Sequence, residues 1–335
     1  MLTAEESGAA VPAMGWRAQP ITVWEGEQLV GGAPAWIKGH SMGEFVYDQG
    51  WADAARRAGI PYYPKVIVAP PFSPVTGQRV LARDAGARSA VLAGLDAIGQ
   101  HAGGIHILFD GETEAEALRA DGYFSRCQYQ FHWKNAGYRS FDDFLAGFRS
   151  DARNKIRRER KSVSGLDFTV EIGPSGETLA ALHRFYQHTA AQFGPWGHVY
   201  LSEPAFRQLG QRWGHRLHAV VAREGDRIVG GALNVLKGDR LYGRYWGCDD
   251  QIPFLHFEVC YYRAIDWCIA HGIAVFEPGH GGEHKYRRGF SPTVTWSSHR
   301  LRDPRLHDAL ERWSAKEAEA IAAQVDALRQ VGPFR

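Results

Sequence analysis

Apolar residues follow two different periods along the 335-residue chain. Short runs rich in β-branched and aromatic residues, bounded by glycine-containing turns, predict strands. Stretches with helical periodicity that end at glycine predict helices. In the first half the predicted helices are WADAARRAG, ARSAVLAGLDAIGQHAGG and GETEAEALRADG, and the predicted strands are PITVWEGE, QLVGGAPAWIKG, GEFVYD, PKVIVAPP, GIHILF and YFSRCQYQFHW.

The second half follows a similar order of elements. Its predicted strands are LDFTVEIG, LHAVVAREG, RIVGGALNVLKG, RLYGRYWG, IAVFEPG and TVTWSSHRL. A long helix, PFLHFEVCYYRAIDWCIAHG, precedes IAVFEPG, and the glycine-rich loop GHGGEHKYRRGF follows that strand. The pattern predicts an α/β (α+β) fold in which mixed sheets are flanked by helices.

One hairpin-like stretch occurs twice. EGEQLVGGAPAWIKG begins at Glu25 and EGDRIVGGALNVLKG begins at Glu224, and eight of the fifteen aligned positions are identical. An acidic-Gly turn followed by an apolar strand is typical of a β-hairpin. Because the flanking elements repeat as well, we expect two related domains in tandem. The expected boundaries are 1–139 and 164–335, with a basic connecting helix at 140–163.

Charge and cysteine usage narrow the classes of function. The formal net charge is +2, so contact with nucleic acid would require a local basic patch. The four cysteines show no CxxC spacing, so neither a disulfide framework nor a zinc finger is predicted. His280, Glu283 and His284 are metal-ligating residue types, but their spacing matches no standard motif, so no metal site is predicted. The first ten residues, MLTAEESGAA, do not have the pattern of a signal peptide, and no apolar run reaches the length of a membrane span. These features predict a cytoplasmic protein.

Five long stretches resemble a family of GNAT-like N-acyltransferases labelled "peptidogalycan biosynthesis/recognition protein". They are YYPKVIVAPPFSPVTG, QFHWKNAGYRSFDDFL, RNKIRRERKSV, LHFEVCYYRAIDWCIAHG and FEPGHGGEHKYRRGFSPT. The resemblance covers almost the whole chain. It implies two tandem GNAT-like acyltransferase domains and transfer of an acyl group to an amine.

The layout is more remotely similar to the Fem-type aminoacyltransferases. Those enzymes also carry two GNAT domains and form peptide bonds on peptidoglycan precursors, with aminoacyl-tRNA as donor. Their basic helix between the halves corresponds to SDARNKIRRERKSVSG, and their acidic strand end before a lysine-containing loop corresponds to FEPG and EHKYRRGF. The spacing from lysine to phenylalanine departs from the Fem-type pattern. Lys285, Arg287 and Arg288 therefore all stay open for the matching role.

N-acyl transfer needs a proton acceptor, a stabiliser of the tetrahedral oxyanion and groups that align both substrates. The loop GHGGEHKYRRGF concentrates such chemistry after a buried strand, where ligands are often bound. The residues predicted to be catalytic are Glu277, His284, Lys285, Glu258 and His132.

A second set of residues is predicted to bind substrates. Aromatic rings beside lysines suit an acceptor with an anionic or ring-bearing group. His256 and Glu258 are two apart near a helix start, so we expect them to point to different faces. The predicted substrate-binding residues are Lys38, Tyr63, Lys65, Trp133, Asn135, His256, His280, Glu283, Tyr286, Arg287 and Arg288.

The donor is the remaining question. The basic run RNKIRRERK favours aminoacyl-tRNA, with Arg153, Lys155, Arg157 and Arg158 as predicted tRNA-binding residues. Acyl-CoA stays an alternative co-substrate, although YWGCDDQIPFLHFE lacks a glycine-rich turn for a pyrophosphate and carries two adjacent aspartates. No resident cofactor is predicted. The expected acceptor is an amine-bearing small molecule or peptide, and a non-catalytic recognition module is the other alternative.

Overall fold

The computed structural model describes residues 2–192 and 198–335, with the side chain of Leu2 excepted. These residues form two compact units. Segment 294–326, from the C-terminal part of the chain, packs with the first unit. The expected boundaries at 139 and 163 stay a prediction, because compactness does not mark where a repeated domain begins. Unit 1 is Met1–Tyr129 with Val294–Asp326, and unit 2 is Gln130–Thr293 with Ala327–Arg335.

The elements are numbered in chain order. The strands are β1 Trp16–Ala18, β2 Ile21–Glu25, β3 Gln28–Ala33, β4 Ala35–Lys38, β5 Lys65–Val68, β6 Leu81–Ala82, β7 Gly104–Asp110, β8 Phe124–Lys134, β9 Asp167–Ile172, β10 Leu217–Glu224, β11 Arg227–Lys237, β12 Arg240–Cys248, β13 Val275–Glu277 and β14 Ser291–Leu301. The α-helices are α1 Leu2–Glu6, α2 Gln49–Arg57, α3 Ala85–Gly99, α4 Glu112–Arg119, α5 Phe141–Ala146, α6 Ser150–Ser162, α7 Gly176–Ala191, α8 Glu203–Trp213, α9 Leu255–Phe257, α10 Arg263–Ala270 and α11 Pro304–Gln330. A π turn, Glu258–Tyr262, joins α9 to α10, and short 3-10 turns occur at Pro12–Met14, Gly214–Arg216 and Glu283–Arg288.

Unit 1 is built on a mixed sheet. Its strands follow the order β1-β4-β5-β7-β14-β8, in which β5 and β7 are parallel and the pairs β1–β4, β4–β5 and β7–β14 are antiparallel. A smaller sheet, β2-β3-β6, lies beside helix α3. Apolar side chains of α3, including Val91 and Leu95, pack against Val66 and Ile107 of the strands.

Unit 2 repeats this plan with the strand order β8-β13-β12-β11-β10-β9. Strands β9 to β12 are antiparallel, whereas β12 and β13 are parallel over three residue pairs, the last of which is Tyr242 with Glu277. Beyond this pair β13 ends, while β12 continues to Cys248. The end of β13 is therefore the place where the unit 2 sheet gives way to loops, as expected for a ligand site in an open sheet.

The repeated sequence forms the same hairpin in both units. Gly26 and Gly225 occupy the turn with φ of 59° and 60°, a left-handed conformation that glycine adopts without steric cost. Both hairpins carry a β-bulge at the same place, between Val23 and Trp24 in unit 1 and between Ala222 and Arg223 in unit 2. Because the turn and the bulge fall at equivalent positions, the repeat is present in the structure as well as in the sequence.

The mixed α/β fold class is confirmed, and three local expectations are wrong. Pro34 lacks an N–H donor, so the first copy divides into β3 and β4 where the second copy is one continuous strand. GEFVYD is not a strand, because Phe45 and Tyr47 have φ of 63° and 54°. The basic segment forms two helices, α5 and α6, rather than one. Among the described residues, no helix is long and apolar enough to cross a membrane.

Candidate active site

The glycine-rich loop after β13 places two of the five predicted catalytic side chains, His284 and Lys285. Its 3-10 turn Glu283–Arg288 is bounded by Gly282 and Gly289, with φ of 85° and 89°. A Cβ atom on Gly289 would lie 2.6 Å from the ring of Phe144, so the backbone approaches an aromatic core that a side chain would disrupt. The glycines therefore allow both the chain reversal and the close packing.

Lys285 is the central cation of the loop. It is 4% exposed, and its Nζ donates hydrogen bonds to the carbonyl oxygens of Gly279 at 2.6 Å and His280 at 3.3 Å. No carboxylate of the described residues forms a salt bridge with it. Burial lowers the pKa of Lys285 from 10.5 to about 8, with a smaller opposing effect from Cys260. The ammonium group is thus a preorganised donor whose charge is not neutralised by a carboxylate.

A narrow crevice of about 60 Å³ lies beside the end of β13. Trp246 of β12, Pro278 of the loop and the helical residues His256, Cys260 and Tyr261 are among its lining residues. The His256 ring lies 4.3 Å from the Trp246 ring, measured between centroids. Burial, with the neighbouring His284, lowers the pKa of His256 to about 3. The crevice is therefore lined by aromatic rings and a neutral imidazole.

His284 is an exposed imidazole next to this crevice. Its Nε2 and the hydroxyl of Tyr261 are hydrogen bonded at 2.9 Å, and its ring centroid lies 5.5 Å from that of His256. Burial of the ring and the charges of Lys285 and Arg288 lower its pKa below 6.5. At neutral pH His284 is therefore an unprotonated base that a substrate can reach.

Glu277 and His132 lie together but are more enclosed. The Glu277 carboxylate is 1% exposed and forms an ion pair with Arg240 at 2.8 Å. His132 Nε2 lies 3.8 Å from Glu277 Oε2, and burial, with Arg240, lowers the pKa of His132 to about 3. The carboxylate is already engaged and the imidazole is hard to protonate, so both are weaker candidates for the base than His284.

His256 and Glu258 lie on different faces of their helical segment, as predicted. His256 lines the crevice, whereas Glu258 is buried between Arg160 at 3.2 Å and Arg263 at 2.8 Å. Burial raises the pKa of Glu258, and the two arginines oppose that effect. This arrangement favours a structural ion pair over general-base catalysis at Glu258.

A larger cleft, of about 540 Å³, brings together the loop and the basic helix α6. Tyr286, Arg287 and Glu283 of the loop face Lys155 and Arg149 across it. Phe131 and three residues near the C-terminus complete an apolar wall. The apolar residues from the C-terminal part are Leu328, Val331 and Pro333.

The predicted tRNA-binding residues are distributed around the part of α6 that is not buried. Arg157 is paired with Asp142 at 3.4 Å. Arg153, Lys155 and Arg158 have no ion-pair partner among the described residues. Lys155 and Arg158 are exposed, and Arg153 is half-buried. Only Ile156 and Glu159 of this helix are buried. The helix therefore presents unpaired cations beside the 540 Å³ cleft.

Three predicted substrate-binding residues of unit 2 are structural. Trp133 is 1% exposed and packs on Tyr138 and Phe144. Asn135 stabilises a turn, because its amide donates to the carbonyl oxygen of Ile273 at 3.2 Å and its Oδ1 accepts from two backbone N–H groups. Arg288 is buried in an ion pair with Glu159, so its guanidinium does not face the cleft. His280 is partly buried, and burial lowers its pKa to about 4.

The predicted residues of unit 1 are not at an open mouth. Lys65 is fully buried and ion paired with Glu44 at 2.6 Å and with Asp48. Lys38 is also fully buried; its Nζ donates to the Met42 carbonyl at 2.8 Å. The charge of Lys65 is therefore already matched by carboxylates, whereas Lys38 forms no salt bridge among the described residues and its burial lowers its pKa to about 8.

Tyr63 lines a cavity that lies in unit 1 and measures about 460 Å³. Its hydroxyl and Ser41 Oγ are hydrogen bonded at 2.7 Å. The cavity is lined by Pro64, His101 and Arg302, among others. The described residues that line it include one histidine, His101, but no lysine.

Sequence reasoning missed four residues at the site: Arg149, Trp246, Cys260 and Tyr261. Trp246, Cys260 and Tyr261 enter the crevice because β12 continues beyond β13 and because a π turn changes the register of the helix. No single sequence motif marks either feature. Arg149 was visible as the first cation of the basic run, and its guanidinium donates to the carbonyl oxygen of Gly332 at 2.6 Å.

The fold is shared with solved structures at low sequence identity. FemX is 14% identical with a TM-score of 0.51, and the match covers 92% of this chain and 93% of FemX. L-PGS from Bacillus licheniformis is 13% identical with a TM-score of 0.51, covering 93% and 94%. The C-terminal domain of an Agrobacterium fabrum protein named as a lysylphosphatidylglycerol synthetase is 9% identical with a TM-score of 0.54, covering 92% and 95%. These likenesses define the class of fold, a Fem-type arrangement of GNAT-like domains.

The family follows from the sequence. Residues 1–335 match the FemAB-like family, described as peptidoglycan biosynthesis/recognition. The chain belongs to this family, which confirms the recognised resemblance and the prediction of an acyltransferase enzyme. A comparison with curated proteins finds no significant match.

Proposed function

We propose that the protein transfers an aminoacyl group from aminoacyl-tRNA to the amine of a peptide-bearing acceptor and so forms an amide bond. One observation carries the proposal. The 540 Å³ cleft places Lys155 of α6, an unpaired cation, next to Arg287 in the loop that holds Lys285. An acceptor from peptidoglycan precursors fits the family description.

The chain's own residues can supply an oxyanion stabiliser and a proton acceptor for the reaction. The acceptor amine would attack the ester carbonyl of the donor, and the carbonyl oxygen would gain negative charge in the tetrahedral intermediate. Lys285 would stabilise this oxyanion, since a preorganised donor in a site of low dielectric is worth about 3 to 4 kcal/mol. The C–O bond to the tRNA ribose would then break, and the ribose oxygen would take a proton.

His284 is the best placed proton acceptor in this scheme. It is exposed, unprotonated at neutral pH and held by the Tyr261 hydroxyl at 2.9 Å. A positioned base contributes about 10²- to 10⁴-fold in rate. Glu277 is less suited, because Arg240 already neutralises its carboxylate.

Acyl-CoA is the less favoured donor. The segment between β12 and α9 would have to bind the CoA pyrophosphate, yet it carries Asp249 and Asp250. Asp249 is held in a two-point ion pair with Arg184, at 3.3 and 3.1 Å. Carboxylates at this place repel a pyrophosphate rather than bind it.

The donor is tested by titrating the protein with charged and uncharged tRNA at increasing salt. Lys155→Ala and Arg287→Ala are expected to weaken binding and each to reduce the slope of log K against log salt by about 1. Lys237→Ala and Arg216→Ala are matched controls, because these side chains are exposed and lie outside the cleft. Absence of tRNA binding at low salt, or equal effects of all four variants, would refute the assignment.

The bond that forms is tested with a radiolabelled aminoacyl-tRNA and amine-bearing or hydroxyl-bearing acceptors. An amide product survives mild base, whereas an ester product does not. Base-stable transfer to the amine supports the proposed reaction. Label found only in base-labile product would contradict amide formation and indicate a hydroxyl acceptor.

A further inference from the structure

One buried ion pair joins the basic helix α6 to the loop that carries Lys285. Glu159 lies on the inner face of α6 and is 3% exposed, and Arg288, at the end of the 3-10 turn, is 5% exposed. Arg288 NH2 lies 2.7 Å from Glu159 Oε1, and Arg288 Nε lies 3.1 Å from Oε2. Two parallel hydrogen bonds fix orientation as well as distance, so the end of the loop follows the helix.

Both partners are held by further elements. The Tyr262 hydroxyl of the π turn donates to Glu159 Oε2. Arg288 NH1 donates to the carbonyl oxygen of His284 at 2.8 Å, and the guanidinium carbon lies 3.3 Å from the centroid of the Phe257 ring. The pair therefore connects α6, the catalytic turn and the helical segment 255–270 in one arrangement.

Other positions around α6 carry the unpaired cations. Arg153, Lys155 and Arg158 have no ion-pair partner among the described residues, and Lys155 lines the cleft. A polyanion bound to these side chains would exert an electrostatic force on α6. Breaking a buried ion pair costs about 3 to 5 kcal/mol, so a small movement of α6 is expected to move Arg288 with it rather than separate the pair.

We propose that Glu159 is a positioning residue that couples donor binding on α6 to the placement of Lys285. This inference rests on the proposed function, since the donor must be the polyanion that α6 binds. Arg288 is followed by Gly289 and preceded by the turn that holds Lys285 three residues earlier. The ion pair thus sets the position of the oxyanion donor without touching the substrate.

The kinetic test compares Glu159→Gln with Lys155→Ala. Glu159→Gln keeps the size and the hydrogen-bonding oxygen but removes the charge, and it is expected to lower kcat at least 10-fold with donor KM and Kd unchanged. Lys155→Ala is expected to raise donor KM and Kd with kcat nearly unchanged. Glu171→Gln is the matched control, because Glu171 pairs with Arg223 at 3.6 Å outside the site.

Hydrogen exchange supplies a readout that needs no turnover. In the wild type, tRNA is expected to slow exchange across residues 279–289. In Glu159→Gln, tRNA should still bind, but the loop should exchange as fast as in the free variant. Arg288→Lys, which keeps the charge but not the two-point geometry, provides a second variant if Glu159→Gln does not fold.

The possible outcomes distinguish a failure of the coupling through Glu159 from a failure of tRNA as the donor. Loop protection by tRNA that persists in both variants overturns the coupling and leaves the donor assignment intact. A parallel loss of kcat and donor affinity also overturns it, because a purely structural pair would act in that way. Failure of the wild type to bind tRNA overturns the proposed function and the coupling together.

Discussion

Replacing Lys285 by methionine is expected to lower kcat strongly without lowering the stability of the protein. Methionine has a similar length but lacks the charge, and the position is 4% exposed. Loss of one oxyanion donor lowers kcat by about 10²- to 10³-fold. Substitutions at buried positions that lower activity usually lower stability as well. Lost activity with unchanged stability therefore distinguishes a catalytic lysine from a structural one.

The expected effect on the free energy of unfolding follows from the lowered pKa of Lys285. A fall from 10.5 to about 8 corresponds to about 3 kcal/mol against the buried charged form at neutral pH. Below pH 8 this cost is fully present, because the lysine is protonated in the folded and unfolded states alike. Between pH 8 and 10.5 the folded protein has released the proton that the unfolded chain still holds, so the free energy of unfolding rises with pH.

Lys285→Met removes this cost and also removes two hydrogen bonds to backbone carbonyls, each worth about 1 kcal/mol. The net expectation at pH 7 is a free energy of unfolding equal to or up to about 2 kcal/mol above that of the wild type. The difference should shrink as pH rises from 8 to 10.5. Urea unfolding from pH 6 to 10 and single-turnover transfer kinetics measure the two quantities.

Two results would refute this reasoning. Turnover within 5-fold of the wild type would remove Lys285 from the chemistry. A loss of several kcal/mol of stability at pH 7 would mean that the ammonium supports the fold instead. Wild-type kcat should fall as pH rises through about 8, because the charged form is the active one, and a pH profile that stays flat to pH 10 would contradict that assignment.

Further predictions concern the fold and protonation states. Lys65→Met should destabilise unit 1 by about 3 to 5 kcal/mol in thermal unfolding, because Glu44 and Asp48 lose a buried cation. Gly289→Ala should lower the melting temperature far more than Gly26→Ala, whose added Cβ meets nothing within 4 Å, and equal effects would contradict the packing argument. His256 should stay neutral at pH 5 in ¹⁵N-detected NMR, and a protonated ring there would contradict its burial.

The hydrophobic pattern predicts the elements well where one face is buried. Strands β10 to β12 and the helix that ends before Gly272 follow directly from alternation and glycine stops. Prediction fails where a single residue breaks a pattern. Pro34 divides one expected strand, and the positive φ values of Phe45 and Tyr47 convert another into turns.

The site is predicted in its chemistry but not in its geometry. The sequence identifies the loop of Lys285, because glycines and charges concentrate after a buried strand. It cannot tell a charge that faces a ligand from one that faces a partner. Glu258 and Arg288 look as suitable as His284 in the sequence, yet each is buried against a residue distant along the chain, Arg160 and Glu159 respectively. Such pairings depend on tertiary contacts that local pattern does not encode.

The two units differ in how their buried cations are neutralised. In unit 1, Lys65 at the start of β5 is neutralised by Glu44 and Asp48 within a closed core. In unit 2, Arg240 at the start of β12 is matched by Glu277, while Lys285 beyond it has no carboxylate partner among the described residues. A buried cation without a counter-ion costs stability, and such a cost is typical of a functional site. Lys38 of unit 1 is buried as well and forms no salt bridge among the described residues, so a buried lysine alone does not distinguish the units. The proposed oxyanion role of Lys285 therefore depends on the unpaired cations of α6, which lie in the same unit as Lys285.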